Sequence, residues 1–153
     1  MIIRQATMDD YAGLVALFTE MQAHYGVPCP PEEDIRQRLM TRPEGAEILV
    51  ADIDGKISGF AAFSAIYPGP GLHAGLFLKE LYVLAGQRGS GAGRALLRQL
   101  AVIALERGFK RVDWTADAEN PRLLAFYEDL GAKPKPDKVF FRLDGEALLK
   151  LGT

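Results

Sequence analysis

Cysteine is nearly missing from this chain of 153 residues: Cys29 is the only one, so no internal disulfide can form. That scarcity fits a reducing compartment, and the expected location is the cytoplasm. Neither sign of charge is in excess. Against 18 Lys and Arg stand 20 Asp and Glu, a formal net charge of −2. Nucleic-acid binders ordinarily carry a strong basic surplus, so no nucleic-acid partner is expected, whereas a cationic small substrate is compatible. Long apolar runs are lacking too. No segment reaches the roughly 20 apolar residues of a membrane helix, so no membrane partner is expected. The opening Met1–Gln5 is too short an apolar run for a signal peptide. Nothing around the two histidines, His24 and His73, or around Cys29 suggests a metal site or a catalytic thiol. With no repeat, low-complexity tract or linker, one domain over 1–153 is expected. A chain of this size buries roughly two-thirds of its surface without metals or disulfides.

What is present is alternation between two periodicities. Residues 1–6 read as a strand, and Thr7 followed by Asp10 as a helix start. Tyr11, Leu14, Val15, Phe18, Met21 and Tyr25 recur at helical spacing, predicting a helix over 8–25. The run Gly26–Pro31 breaks it, and Pro31 suits the start of a second helix over about 32–41. Strands follow over 46–53 and 56–67, joined by Asp54-Gly55, a two-residue hairpin signal. A further strand covers 75–84. After a glycine-rich segment comes a helix over 94–107, with Leu96, Leu97, Leu100, Ala101 and Ala104 on one stripe and Gly108 at its end. A strand over 110–116, a short helix from Asn120-Pro121 to Leu130, a strand over Val139–Leu143 and a helical turn near Glu146–Leu151 complete the chain. Hairpins at one end and helix crossovers at the other predict an α/β chain with a mixed sheet.

The segment Arg88-Gly89-Ser90-Gly91-Ala92-Gly93 lies between a strand and a long helix. Main-chain N–H groups at a helix start lack partners, and the helix dipole adds positive charge there, which together suit an anion. Glycine lets backbone approach phosphate oxygens closely, and Arg88 adds a cation. The Walker pattern is absent, and the spacing is not that of the dinucleotide fingerprint. A diphosphate-bearing cofactor is the expected occupant; the plain alternative is a glycine-rich turn with no ligand.

The same hexapeptide resembles the (Gln/Arg)-x-x-Gly-x-(Gly/Ala) pattern of the GNAT superfamily of N-acetyltransferases. Leu81-Tyr82-Val83 resembles the strand end before that loop. Trp114, Asn120 and Ala125-Phe126-Tyr127-Glu128-Asp129-Leu130-Gly131-Ala132 resemble the later FYxxLGA motif, so the likeness spans nearly the whole chain. Lys79-Glu80-Leu81-Tyr82-Val83, the Trp114 to Asn120 spacing and Phe140–Leu148 are most similar to the diamine and thialysine acetyltransferase group. That group often has two adjacent acids where this chain has Lys79-Glu80. The resemblance implies a GNAT-like fold: a central, mostly antiparallel sheet with a splayed parallel pair and helices on both faces. It implies acetyl-CoA as cosubstrate, no metal, a small primary amine as acceptor (diamine, polyamine or amino-acid-like) and a homodimer.

Roles follow from the resemblance. An alkylammonium with a pKa near 10.4 must lose a proton before it attacks the thioester. Glu80 would attract the cation and accept that proton; its plain alternative is a solvated charge or a structural ion pair. Main-chain N–H groups near Val83 would stabilise the oxyanion, while the backbone of Leu81, Tyr82 and Val83 pairs with the pantetheine arm. Arg88, Gly89, Ser90, Gly91, Ala92 and Gly93 would hold the diphosphate. Tyr127 would contact the cosubstrate and protonate the leaving thiolate, or else simply pack under its helix. Asn120 would bond the pantetheine or diphosphate, or cap the helix that Pro121 begins. Tyr25, with Glu32 and Glu33 nearby, would touch the acceptor. Trp114 is expected in the core. Two other functions stay open: acetylation of a protein lysine or N-terminus, and a non-catalytic acetyl-CoA-binding module.

Overall fold

The computed structural model describes all 153 residues, which form two compact units, Met1–Thr115 and Ala116–Thr153. In the first, strand β1 (Ile2–Gln5) leads through a short 3-10 turn into α1 (Tyr11–His24), followed by α2 (Glu32–Met40). Strands β2 (Glu47–Ile53), β3 (Lys56–Ile66) and β4 (Gly75–Val83) come next, then α3 (Ala92–Glu106) and β5 (Val112–Trp114). The five strands form one sheet in chain order, antiparallel except for the parallel pair β4–β5.

Local chemistry explains the connections. Asp54 and Gly55 both take positive φ, 53° and 80°, the twist a two-residue hairpin needs. Asp52 reinforces the turn by accepting the Gly55 N–H at 2.8 Å. The Asp10 carboxylate accepts the Thr7 N–H at 2.8 Å and thereby closes the entrance to α1. It also takes two hydrogen bonds from Arg4, at 2.7 and 2.9 Å, tying β1 to that entrance. Pro31 sits just outside α2, in an extended conformation (ψ 151°), and the helix begins at Glu32.

Alternation divides the sheet. Val50, Phe60 and Tyr82 face α1 and α2, in one core with Leu14, Leu17, Ile35 and Leu39. Leu49 and Ala61 face the other way, and α3 packs against that side through Leu96, Leu97 and Leu100, all buried. Helices therefore cover both faces of a mixed sheet.

Two features of β4 set up the site. A bulge falls opposite Ala62–Phe63: Leu78 pairs with Phe63 and Glu80 with Ala62, so Lys79 is the inserted residue. The parallel pairing with β5 spans only Leu76–Leu78. From Lys79 to Val83, β4 thus has a strand on its β3 side alone.

The second unit contains α4 (Pro121–Asp129) and α5 (Gly145–Leu151). Asn120 caps α4 by accepting the Leu123 N–H at 3.1 Å, the capping alternative named above. Gly131, at φ 94°, ends it. The strand expected over Val139–Leu143 does not form. Those residues have no ladder partner and are exposed, Phe141 to 87%; apolar content predicts a strand only where a neighbour accepts the hydrogen bonds.

Candidate functional site

Gly26, at φ 67°, stops α1 just past Tyr25 and leaves the tyrosine at the helix end. Its hydroxyl donates to Glu80 Oε1 at 2.8 Å. Two residues expected to meet the acceptor are thus joined directly. Glu80 shares the α1 face with Tyr82 and is half-buried. Glu32 and Glu33 lie exposed on the first turn of α2.

Leading out of β4, the chain makes a 3-10 turn over Ala85–Gln87 and then the glycine-rich loop. Gly89 and Gly91 have φ of 85° and 87°, and a Cβ at either would meet no protein atom within 4 Å. Their conformation, not crowding by the protein, demands glycine. The N–H groups of Gly89, Gly91 and Gly93 find no acceptor in the protein. Ser90 partly satisfies the helix start itself, its hydroxyl accepting the Ala92 N–H at 3.3 Å. Three free amides at the front of a 15-residue helix fit a diphosphate. Beside them, β4 along Leu81–Val83 lacks a strand on one side, with the Val83 carbonyl bonded to Arg88 at 3.4 Å, and fits an extended amide-bearing arm such as pantetheine.

Arg88 turns back onto the strand. Its guanidinium donates to Val83 O and to the Tyr82 hydroxyl, both at 3.4 Å, and lies 5.5 Å from the Tyr82 ring centroid. At the centre of this cluster is Glu20, which the sequence reading missed. Its carboxylate accepts the Tyr82 hydroxyl at 2.7 Å and the Ala85 N–H at 3.0 Å. Those two bonds, the tyrosine's first, hold Glu20 below the ordinary carboxylate range, helped by the charge of Arg88. Burial, with Glu20 second, pushes the Tyr82 hydroxyl up. Glu20 thereby fastens α1 to the root of the loop.

In the second unit Tyr127 lies in the last turn of α4, half-buried, with its ring 5.4 Å from that of Phe126. Trp114, expected in the core, is half-buried at the end of β5. Cys29 is exposed, its sulfur 3.4 Å from Pro30 O. No group of three or more His, Cys, Asp or Glu is arranged to hold a metal, and no helix is long and apolar enough to cross a membrane.

A sequence model of the acetyltransferase (GNAT) family matches residues 14–132. The chain is 28% identical to L-ornithine N5-acetyltransferase NATA1 of Arabidopsis thaliana, over 86% of this chain and 54% of that protein. It is 29% identical to the thialysine N-epsilon-acetyltransferase of Bos taurus, over 50% of this chain and 46% of that one. The chain thus spans about half the length of these curated relatives. Among solved structures, the integron cassette protein VCH_CASS6 from the mobile metagenome of V. cholerae superposes with a TM-score of 0.90. The two are 31% identical, with 99% of this chain and 96% of that one covered.

Proposed function

Since the chain belongs to the acetyltransferase (GNAT) family, whose members are acyl-transferring enzymes that use acetyl-CoA, we propose that it acetylates the primary amine of a small molecule. The observation that carries this reading is the Tyr25–Glu80 hydrogen bond at the bulge of β4, on the strand that feeds the free amides of Gly89, Gly91 and Gly93. Relatives named for acetylating ornithine and thialysine, both amino acids with a side-chain amine, support it.

Acetyl-CoA supplies an acetyl group activated as a thioester. The three glycine amides hold the diphosphate; Arg88 adds its charge on leaving Tyr82 and Val83, Ser90 and Ala92 join on giving up their mutual bond, and the main chain of Leu81, Tyr82 and Val83 pairs with the pantetheine arm. Glu80 attracts the ammonium and takes its proton, directly or through one water, so that the nitrogen lone pair is free to attack. Tyr25 orients the carboxylate for that exchange. A carbon–nitrogen bond forms, the carbon–sulfur bond breaks, and Tyr127 donates its phenolic proton to the departing thiolate. Asn120 adds a polar contact to the pantetheine or diphosphate. Residues 1–153 act as an acetyltransferase domain, in the cytoplasm and as a homodimer. A thiol-release assay with acetyl-CoA and a panel of diamines, thialysine and amino acids tests the reading. Release with at least one such amine is expected; none with any would refute it.

A further inference from the structure

A cleft of about 730 Å³ opens between α1, α2 and the face of the sheet they cover. That volume falls within the roughly 300–1,000 Å³ of small-molecule sites. Its floor is apolar, with Phe18 from α1, Leu39 from α2 and Ala62 from β3. Its charges are mostly of one sign. Arg38, Arg42 and Lys79 line it, against Glu44 and Glu47. Glu47 is spent: both its oxygens take hydrogen bonds from Arg107 at 2.7 Å. Glu44 is exposed on the loop beyond α2, and Arg38 and Lys79 are exposed as well, so the cleft carries three cations against this one free acid. Arg42 is anchored through neutral groups only, the carbonyls of Leu39 and Ala46 and the Tyr11 hydroxyl, so its charge is uncompensated. The side chains of Arg38 and Lys79 have neither ion pair nor hydrogen bond in the protein.

The bulge in β4 ties this cationic cleft to the reacting end. Without it, Lys79 and Glu80 would point to opposite faces of the sheet. With Lys79 inserted, Glu80 stands opposite Ala62 of the cleft floor while Lys79 itself lines the cleft. An acid that draws an ammonium therefore adjoins three cations across an apolar floor. We infer that the acceptor carries a carboxylate as well as its primary amine, the amine at Glu80 and the carboxylate at Lys79 and Arg38. This rests on the acetyltransferase reading and narrows its substrate class. A diamine of equal length would bring a second ammonium among Arg38, Arg42 and Lys79 with no carboxylate to offset it.

Ornithine and 1,4-diaminobutane differ by one carboxylate and make the test. Wild-type kcat/KM should favour ornithine by about tenfold or more, the worth of one hydrogen bond to a charged group. Lys79→Glu should reverse the order, lowering ornithine and raising the diamine, which loss of folded protein cannot do. Equal or greater turnover of the diamine by wild type, or a parallel fall of both in the variant, would overturn the inference. Calorimetric titration of both amines into CoA-loaded protein reads the same preference without turnover. Ornithine preferred in binding, with neither amine acetylated, would retain the inference and refute the acetylation alone. Failure of both amines to bind, or no preference, would overturn the inference.

Discussion

Tyr25 and Glu80 are 55 positions apart and share one hydrogen bond. If Glu80 takes the proton, Glu80→Gln should lower kcat/KM by about 10²-fold or more, the usual contribution of a general base. The acetyl-CoA dissociation constant, measured by calorimetry, should not move. An unchanged kcat/KM would leave Glu80 only its bond to Tyr25. Tyr127→Phe should lower kcat by about 10²-fold with acetyl-CoA affinity retained, because only the proton is removed; full activity would exclude the phenol as the acid. Glu80 and Tyr25 were named through the family resemblance; from the residues alone Tyr25 belongs to the apolar stripe of α1 and Glu80 is a charge at a strand end. Glu20 was not, since a glutamate in a helix reads as a solvated residue until the fold brings Tyr82 and the Ala85 amide to it.

Among the elements, α1 depends on a carboxylate at its entrance. Hydrogen bonds from Arg4, then from the Thr7 N–H, hold Asp10 below its ordinary value of 3.8. The unfolded chain binds the proton more tightly, so the stabilisation is present above 3.8 and disappears as pH falls through the lower folded value. Wild type should therefore lose stability between about pH 5 and 2 more steeply than Asp10→Asn, as followed by urea titration. Equal slopes would mean that the ion pair stabilises nothing. At neutral pH, Asp10→Ala should cost about 2 kcal/mol, reduced from a fully buried pair because Arg4 is 36% exposed. The loop before α3 allows a matched comparison. Gly91 and Gly45 have nearly the same φ, 87° and 85°, and open space around each. Alanine at either should cost about 1–2 kcal/mol in stability through backbone strain. Only Gly91→Ala should also weaken acetyl-CoA binding; equal affinity in the two variants would remove the loop from the cosubstrate site. Periodicity revealed the hairpin at Asp54-Gly55 and all three helices of the first unit, since each is decided by residues close in sequence. It misplaced Val139–Leu143, because a strand also needs an edge to pair with, and no local signal reports one.

At the scale of the whole molecule, the balance of charge gives no reason for copies to repel strongly, and the exposed apolar residues are unevenly placed. Val139, Phe140, Phe141, Leu149 and Leu151 fall within 13 residues, and each is at least 64% exposed. Each such side chain stabilises by about 1.5–3 kcal/mol when moved from water into an apolar contact. A homodimer would supply that contact with the fewest assumptions, since a two-fold interface uses one patch twice. Sedimentation velocity should therefore show a dimer for the wild-type chain. Phe141→Glu should shift it toward monomer, because the new carboxylate would have to be buried without a partner. The circular dichroism spectrum should not change, since Phe141 lies outside every helix and strand. Sedimentation of the wild type as a monomer would rule out the dimer. A dimer indifferent to Phe141→Glu would place its interface away from Phe141.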